Sequence, residues 1–161
     1  VAHSLGNLVI RRYLAEQTDS DGKCKSDPRI KRIVMVGPPN NGARMAALVG
    51  RSELFEKITG KSGRALSRDW DTFCKSLCTP DCEFGIIAGG RGDGAGYNPL
   101  LLGDDDLVIG VEEAKLAGAR DFTVIEGMHA WMMHNPAVHA AALRFLEHGY
   151  FVSEEKRQPL K

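Results

Sequence analysis

A chain of 161 residues, 43% apolar and 26% charged, has the composition of a globular protein with a sizeable core rather than a disordered or fibrous one. Twenty-one Lys and Arg balance twenty-one Asp and Glu, so no broad positive field draws nucleic acid or anionic lipid. No apolar run approaches the roughly 20 residues of a membrane helix, and the chain opens at Val1 without a charged leader, which leaves its compartment unread.

Residues 4–17 carry Leu5, Leu8, Val9 and Tyr13 at the three-and-four spacing of an amphipathic helix. The polar stretch 18–28 reads as a surface loop. Ile33-Val-Met-Val36 is a short apolar run ending at Gly37, the pattern of a strand buried on both faces. After the tight loop 38–42, residues 44–68 have the Ala, Leu, Glu and Lys mixture of one or two short helices broken near Gly60. Residues 70–83 have no clear period.

A second buried-strand run, Phe84-Gly-Ile-Ile-Ala88, leads into the glycine-rich stretch 89–96. That stretch lacks the G-K-[ST] ending of a phosphate-binding loop, which argues against a nucleotide. Phe122-Thr-Val-Ile125 is a third strand. Asn135 can cap a helix with Pro136 at its first position, a buried face of Val138, Ala141, Ala142, Phe145 and Leu146, and Gly149 at its end. The polar tail 153–161 is expected to fray. Strands separated by helical connections predict an α/β fold, a parallel sheet with helices on its faces. Its chemistry belongs at the carboxyl ends of the strands.

Cys74, Cys78 and Cys82 recur every four residues while Cys24 stands apart. The spacing is not that of a usual zinc or iron–sulfur site and Pro80 interrupts it, so free thiols or one local disulfide is the expectation, with no metal.

Ala2-His-Ser-Leu-Gly6 before a helix has the small-x-Ser-x-Gly form of a nucleophile elbow, in which the flanking small residues permit a very tight strand-to-helix turn. A serine capping a helix is the competing reading. The elbow needs an imidazole to take the hydroxyl proton and a carboxylate to orient the imidazole. Downstream stand Gly103-Asp-Asp-Asp106 and, in a loop directly after the third strand, His129. His134 adjoins a helix cap, His139 lies on a helix, His148 suits a helix end and His3 packs within the elbow, so His129 is the candidate base.

With these residues in order, residues 1–151 resemble the carboxyl-terminal part of an α/β-hydrolase of the bacterial lipase and esterase type. The matching motifs are Val1-Ala-His-Ser-Leu-Gly6, with Asn7 for the usual second glycine, then Pro38-Pro-Asn-Asn-Gly42, Ile87-Ala-Gly-Gly90, an acid segment and a histidine loop. Registering the acid segment on its branched residues Ile109 and Val111 selects Asp106, with Leu107 in place of the expected glycine. Asp104 and Asp105 are then expected to be solvated neighbours or turn residues.

The resemblance implies a partial hydrolase domain over residues 1–152, whose amino-terminal strands are missing, and a lid or cap insertion over 43–83. It implies a serine hydrolase of carboxylic esters, small-molecule or lipid, that needs no cofactor: Ser4 as nucleophile, His129 as base, Asp106 as orienting acid and the Leu5 amide as an oxyanion donor. Met45, Leu48, Phe55 and Trp70 could line an acyl pocket or pack a helix on the sheet. Acyl transfer or thioester cleavage by the same residues is the alternative, as is a noncatalytic interaction protein in which Leu107 marks a disabled acid site. With the strands before the elbow and a second oxyanion donor absent, the chain alone is expected to hydrolyse esters poorly.

Overall fold

The computed structural model describes residues 1–17, 24, 27–43 and 70–161. Four parallel strands lie in the order β1 (Ala2–His3), β2 (Arg32–Val36), β3 (Glu83–Gly90) and β4 (Asp121–Glu126). The registers place His3 beside Val36, Val36 beside Ile87 and Ile87 beside Thr123. All four strands therefore end on one edge of the sheet.

Alternation along the central strands divides the core between two faces, because successive side chains of a strand point to opposite sides. Ile33, Met35, Phe84, Ile86 and Ala88 pack with Leu14 of α1 (Gly6–Ala15) and with Ala114 of the short α3 (Val111–Ala114). On the other face, Val34, Val36 and Ile87 pack with Val138, Ala141, Ala142 and Phe145 of α4 (Pro136–His148). The Asn135 side chain accepts the Ala137 amide at 2.9 Å, and Gly149 ends the helix at φ 82°. A short helix α2 (Trp70–Phe73) and a 3-10 turn (Cys74–Ser76) precede β3.

The amino edge of the sheet is held by charge. Glu83 sits between Arg32 at 2.6 Å and Arg120 at 2.5 Å, while Arg32 also caps α4 through the carbonyls of Leu146 and Glu147. The Arg32 hydrogen bond is the main cause that holds the Glu83 carboxyl below the usual range.

Several expectations change. The strand before Ser4 is represented, as two residues paired to β2, and the first helix starts at Gly6, because Ser4 itself turns the chain at φ 53°. Strand β3 runs on through Gly90, so the glycine-rich loop begins later than its composition suggests. The tail is anchored rather than frayed: buried Asp121 accepts the Gln158 amide at 2.8 Å, and Leu160 exchanges backbone bonds with Ala119 and Gly118. Cys24 pairs with Cys78 across 54 residues, so the disulfide is long-range and excludes a metal role for Cys78. Arg11 braces that bond from within α1. Its buried guanidinium donates to the Cys78 and Asn40 carbonyls and to Asn40 Oδ1, and desolvation brings its pKa down to about 10.

Candidate active site

Each strand delivers one component at its carboxyl end. Directly after β1, Ser4 occupies the left-handed region, a conformation that costs a non-glycine residue about 1–3 kcal/mol and lifts its side chain out of the turn. Three bonds hold this turn. The Ser4 amide donates to the Val36 carbonyl at 2.9 Å, and the buried Asn7 donates through Nδ2 to the carbonyls of Ser4 at 2.9 Å and Val36 at 3.3 Å. Asn7 thus gives the position usually held by glycine a structural use. Among the described residues its Oδ1 is the one buried side-chain N or O atom without a hydrogen-bond partner. The Leu5 amide, at the amino end of α1, donates to nothing among the described residues.

After β2 comes Gly37, at φ 51°. A Cβ there would stand 3.2 Å from Cε1 and Nδ1 of His129 and 3.4 Å from Asp106 Oδ2, so the imidazole and the carboxylate occupy the space that a side chain would need. Gly89 near the end of β3 has the same function for the acid: an added Cβ would lie 2.7 Å from Asp106 Cβ.

After β3 the glycine-rich loop wraps around the chain's own carboxylates. Asp104 accepts the amides of Arg91 at 2.7 Å and Gly92 at 2.8 Å. Asp105 is fully buried and accepts the amides of Asn98 at 3.1 Å and Leu107 at 2.7 Å, so it builds the turn from inside and is not a solvated neighbour. The anion that a glycine loop could cradle is here part of the protein.

Asp106 is 1% exposed; its Oδ1 accepts the amides of Val108 at 3.0 Å and Ile109 at 2.7 Å, leaving Oδ2 aimed at His129. Leu107 takes the left-handed conformation, φ 86°, that the expected glycine would take, with its side chain in solvent. The substitution strains the turn without moving the carboxylate off line.

After β4, His129 opens a 3-10 helix (His129–His134). Its Nδ1 lies 2.7 Å from Asp106 Oδ2 and its Nε2 lies 2.8 Å from Ser4 Oγ. The carboxylate fixes the proton on Nδ1 and leaves Nε2 to accept from the serine hydroxyl. The structure therefore brings together Ser4, His129 and Asp106, and shows three supporting residues, Asn7, Gly37 and His3, whose roles the sequence did not single out. His3 meets His129 ring to ring at 4.7 Å and bonds its carbonyl. The signals were a departure from the family pattern at Asn7, the strand-ending glycine at Gly37 and the place of His3 in the elbow, which gave its packing but not its bond to His129.

His134, His139 and His148 stand elsewhere: His139 bonds the Met133 carbonyl and His148 stacks on Tyr150. Trp70 packs its indole against Gly42 and meets Phe73 edge-on. Met45, Leu48 and Phe55 lie outside the described residues, as does most of the 43–83 insertion. Among the described residues no group of three or more His, Cys, Asp or Glu side chains could hold a metal ion, and no helix is long and apolar enough to cross a membrane.

No protein-family model and no curated protein matches the chain. Solved structures do. The lipase BlEst2 of Bacillus licheniformis in its mature form is similar with a TM-score of 0.61 at 15% identity, over 90% of this chain and 62% of that one. Its propeptide form matches with a TM-score of 0.55 at 16% identity, over 79% and 30%. The phospholipase PlaB of Legionella pneumophila matches with a TM-score of 0.54 at 16% identity, over 86% and 40%. The chain has the α/β fold of these bacterial lipases and spans under two thirds of the mature BlEst2 chain.

Proposed function

We propose that the protein is a serine hydrolase of carboxylic esters. The observation that carries this reading is the line of hydrogen bonds from Ser4 Oγ to His129 Nε2, 2.8 Å, and from His129 Nδ1 to Asp106 Oδ2, 2.7 Å, at the carboxyl edge of a parallel sheet. The lipase and phospholipase neighbours support ester hydrolysis as the class of reaction.

In this mechanism Ser4 Oγ attacks the ester carbonyl while His129 Nε2 takes the hydroxyl proton. Asp106 holds the imidazole and stabilises the imidazolium that forms. The Leu5 amide stabilises the carbonyl oxygen as it gains negative charge. Collapse of the tetrahedral intermediate returns the proton to the departing alcohol and leaves an acyl-serine. A water molecule then loses its proton to Nε2, attacks the acyl carbon and releases the acid, with Ser4 regaining its proton. Trp70, which packs against Gly42, is proposed to border the acyl pocket.

Reaction with a p-nitrophenyl alkylphosphonate tests the reading. The expected result is one adduct per chain, mapped by mass spectrometry to Ser4 and absent from Ser4→Ala. A folded full-length protein that takes no label overturns it.

A further inference from the structure

We propose that His3 is a positioning residue that ties the backbone of His129 to the strand carrying Ser4. The proposal deepens the serine-hydrolase reading and rests on it for its catalytic consequence.

The two main-chain groups of His129 are each bonded to a chain that also carries one of its side-chain partners. Its amide donates to the Asp106 carbonyl at 2.8 Å, and its carbonyl lies 3.1 Å from His3 Nε2. His3 immediately precedes Ser4 and is the last residue of β1, in register with Val36. A serine, an imidazole and a carboxylate on three separate loops would otherwise keep their geometry only through the side-chain bonds that break and reform in each cycle. The two backbone bonds do not depend on the proton that moves.

The chemistry of the contact fixes the state of His3. A carbonyl oxygen only accepts, so His3 Nε2 must carry hydrogen and donate it. Burial, reinforced by the nearby His129 ring, lowers the His3 pKa from the ordinary 6.5, while the His129 carbonyl bond and Asp106 pull in the opposite direction. Burial prevails, and His3 remains a neutral donor. Neutrality has a use, because a second cation 4.7 Å from His129 would oppose the imidazolium formed when Ser4 attacks.

The test separates the donor from the ring. His3→Phe keeps the ring and removes the donor; His3→Gln removes the ring and keeps an amide donor at similar reach. Phosphonate inactivation of Ser4 and hydrolysis of a p-nitrophenyl ester are followed in both, with folding checked by thermal unfolding. The inactivation rate and kcat of His3→Phe are expected to fall about tenfold, in proportion to a sub-ångström misplacement, with KM unchanged. His3→Gln is expected to stay within about threefold of the parent.

Parent-like rates in His3→Phe, or equal impairment of both variants, overturn the proposal. Nitrogen-15 shifts of the His3 ring in the unmodified protein give a readout that needs neither variant nor activity: the proposal requires hydrogen on Nε2 and fails if it resides on Nδ1. A folded full-length parent whose Ser4 is not labelled sinks the hydrolase reading instead. The His3 tautomer and the persistence of the His129 Nδ1–H resonance in His3→Gln but not His3→Phe then still decide the positioning role.

Discussion

Two residues other than glycine adopt positive φ among those described, Ser4 at 53° and Leu107 at 86°; the first is one side-chain partner of His129 and the second directly follows the other, Asp106. Both turns aim a functional group at the imidazole, yet the strain has different standing in each. At Ser4 the strained residue carries the reacting oxygen, so its side chain and its conformation are needed together. At Leu107 the strained residue follows the one that matters, Asp106, and its side chain is 44% exposed. The first strain belongs to the proposed function; the second is only the cost of a leucine where glycine would serve. A fold can therefore tolerate the same backbone penalty twice for different reasons, and substitution tells the two apart.

The largest effect is expected at the first turn. Ser4→Ala should abolish phosphonate labelling and lower ester turnover by at least about 10⁴-fold. Turnover within tenfold of the parent would remove Ser4 from the reaction.

Across the imidazole, Asp106→Asn should lower kcat by about 10³- to 10⁴-fold, because the amide no longer fixes the proton on His129 Nδ1. Unchanged kcat would return the acid to Asp105 or to no residue at all. Gly37→Ala, which adds a methyl group 3.2 Å from the imidazole, should cost about 10- to 100-fold in kcat/KM with little change in substrate binding.

At the second turn, Leu107→Gly should leave turnover within about threefold. It should stabilise the fold by about 1 kcal/mol, seen as a rise of about 2–4 °C in Tm. A loss of stability would mean that the Leu107 side chain makes a contact worth more than its strain.

The smallest effect is a pH slope. Because burial lowers the His3 pKa in the folded chain, the unfolded chain binds more protons between 6.5 and that lower value. The stability contribution present above 6.5 is accordingly lost as pH falls through this window. Urea midpoints taken from pH 7.5 to 5 should decline less steeply in His3→Gln than in the parent, and identical slopes would contradict a neutral, buried His3.

How each feature is encoded decides whether the amino-acid sequence displays it. Ile33–Val36 and Phe84–Ala88 announce themselves as short apolar runs and Phe122–Ile125 as a β-branched one, and all three prove to be parallel strands of the α/β fold. Ser4, Asp106 and His129 are legible because they follow β1, β3 and β4 in the chain order of the resembled family, and the structure places His129 2.8 Å from Ser4 Oγ and 2.7 Å from Asp106 Oδ2.

Strand β1 is two residues long, too short for any periodic signal. The burial of Asp105 beside Asp106 is invisible because adjacent identical residues differ only in which backbone amides turn towards them. The tail looks polar, and it is held by the buried Asp121 carboxylate, which accepts the Gln158 amide, and by main-chain bonds of Leu160 to Ala119 and Gly118. Cys24 gave no spacing to read, since its partner lies 54 residues away.

That distance has a thermodynamic meaning of its own. The Cys24–Cys78 bond closes a covalent ring containing β2, Gly37 and the chain as far as Cys78. By chain entropy, a closure across 54 residues removes disorder from the unfolded ensemble equivalent to about 4 kcal/mol. The strand that leaves room for the imidazole is thus threaded on a loop whose ends cannot separate.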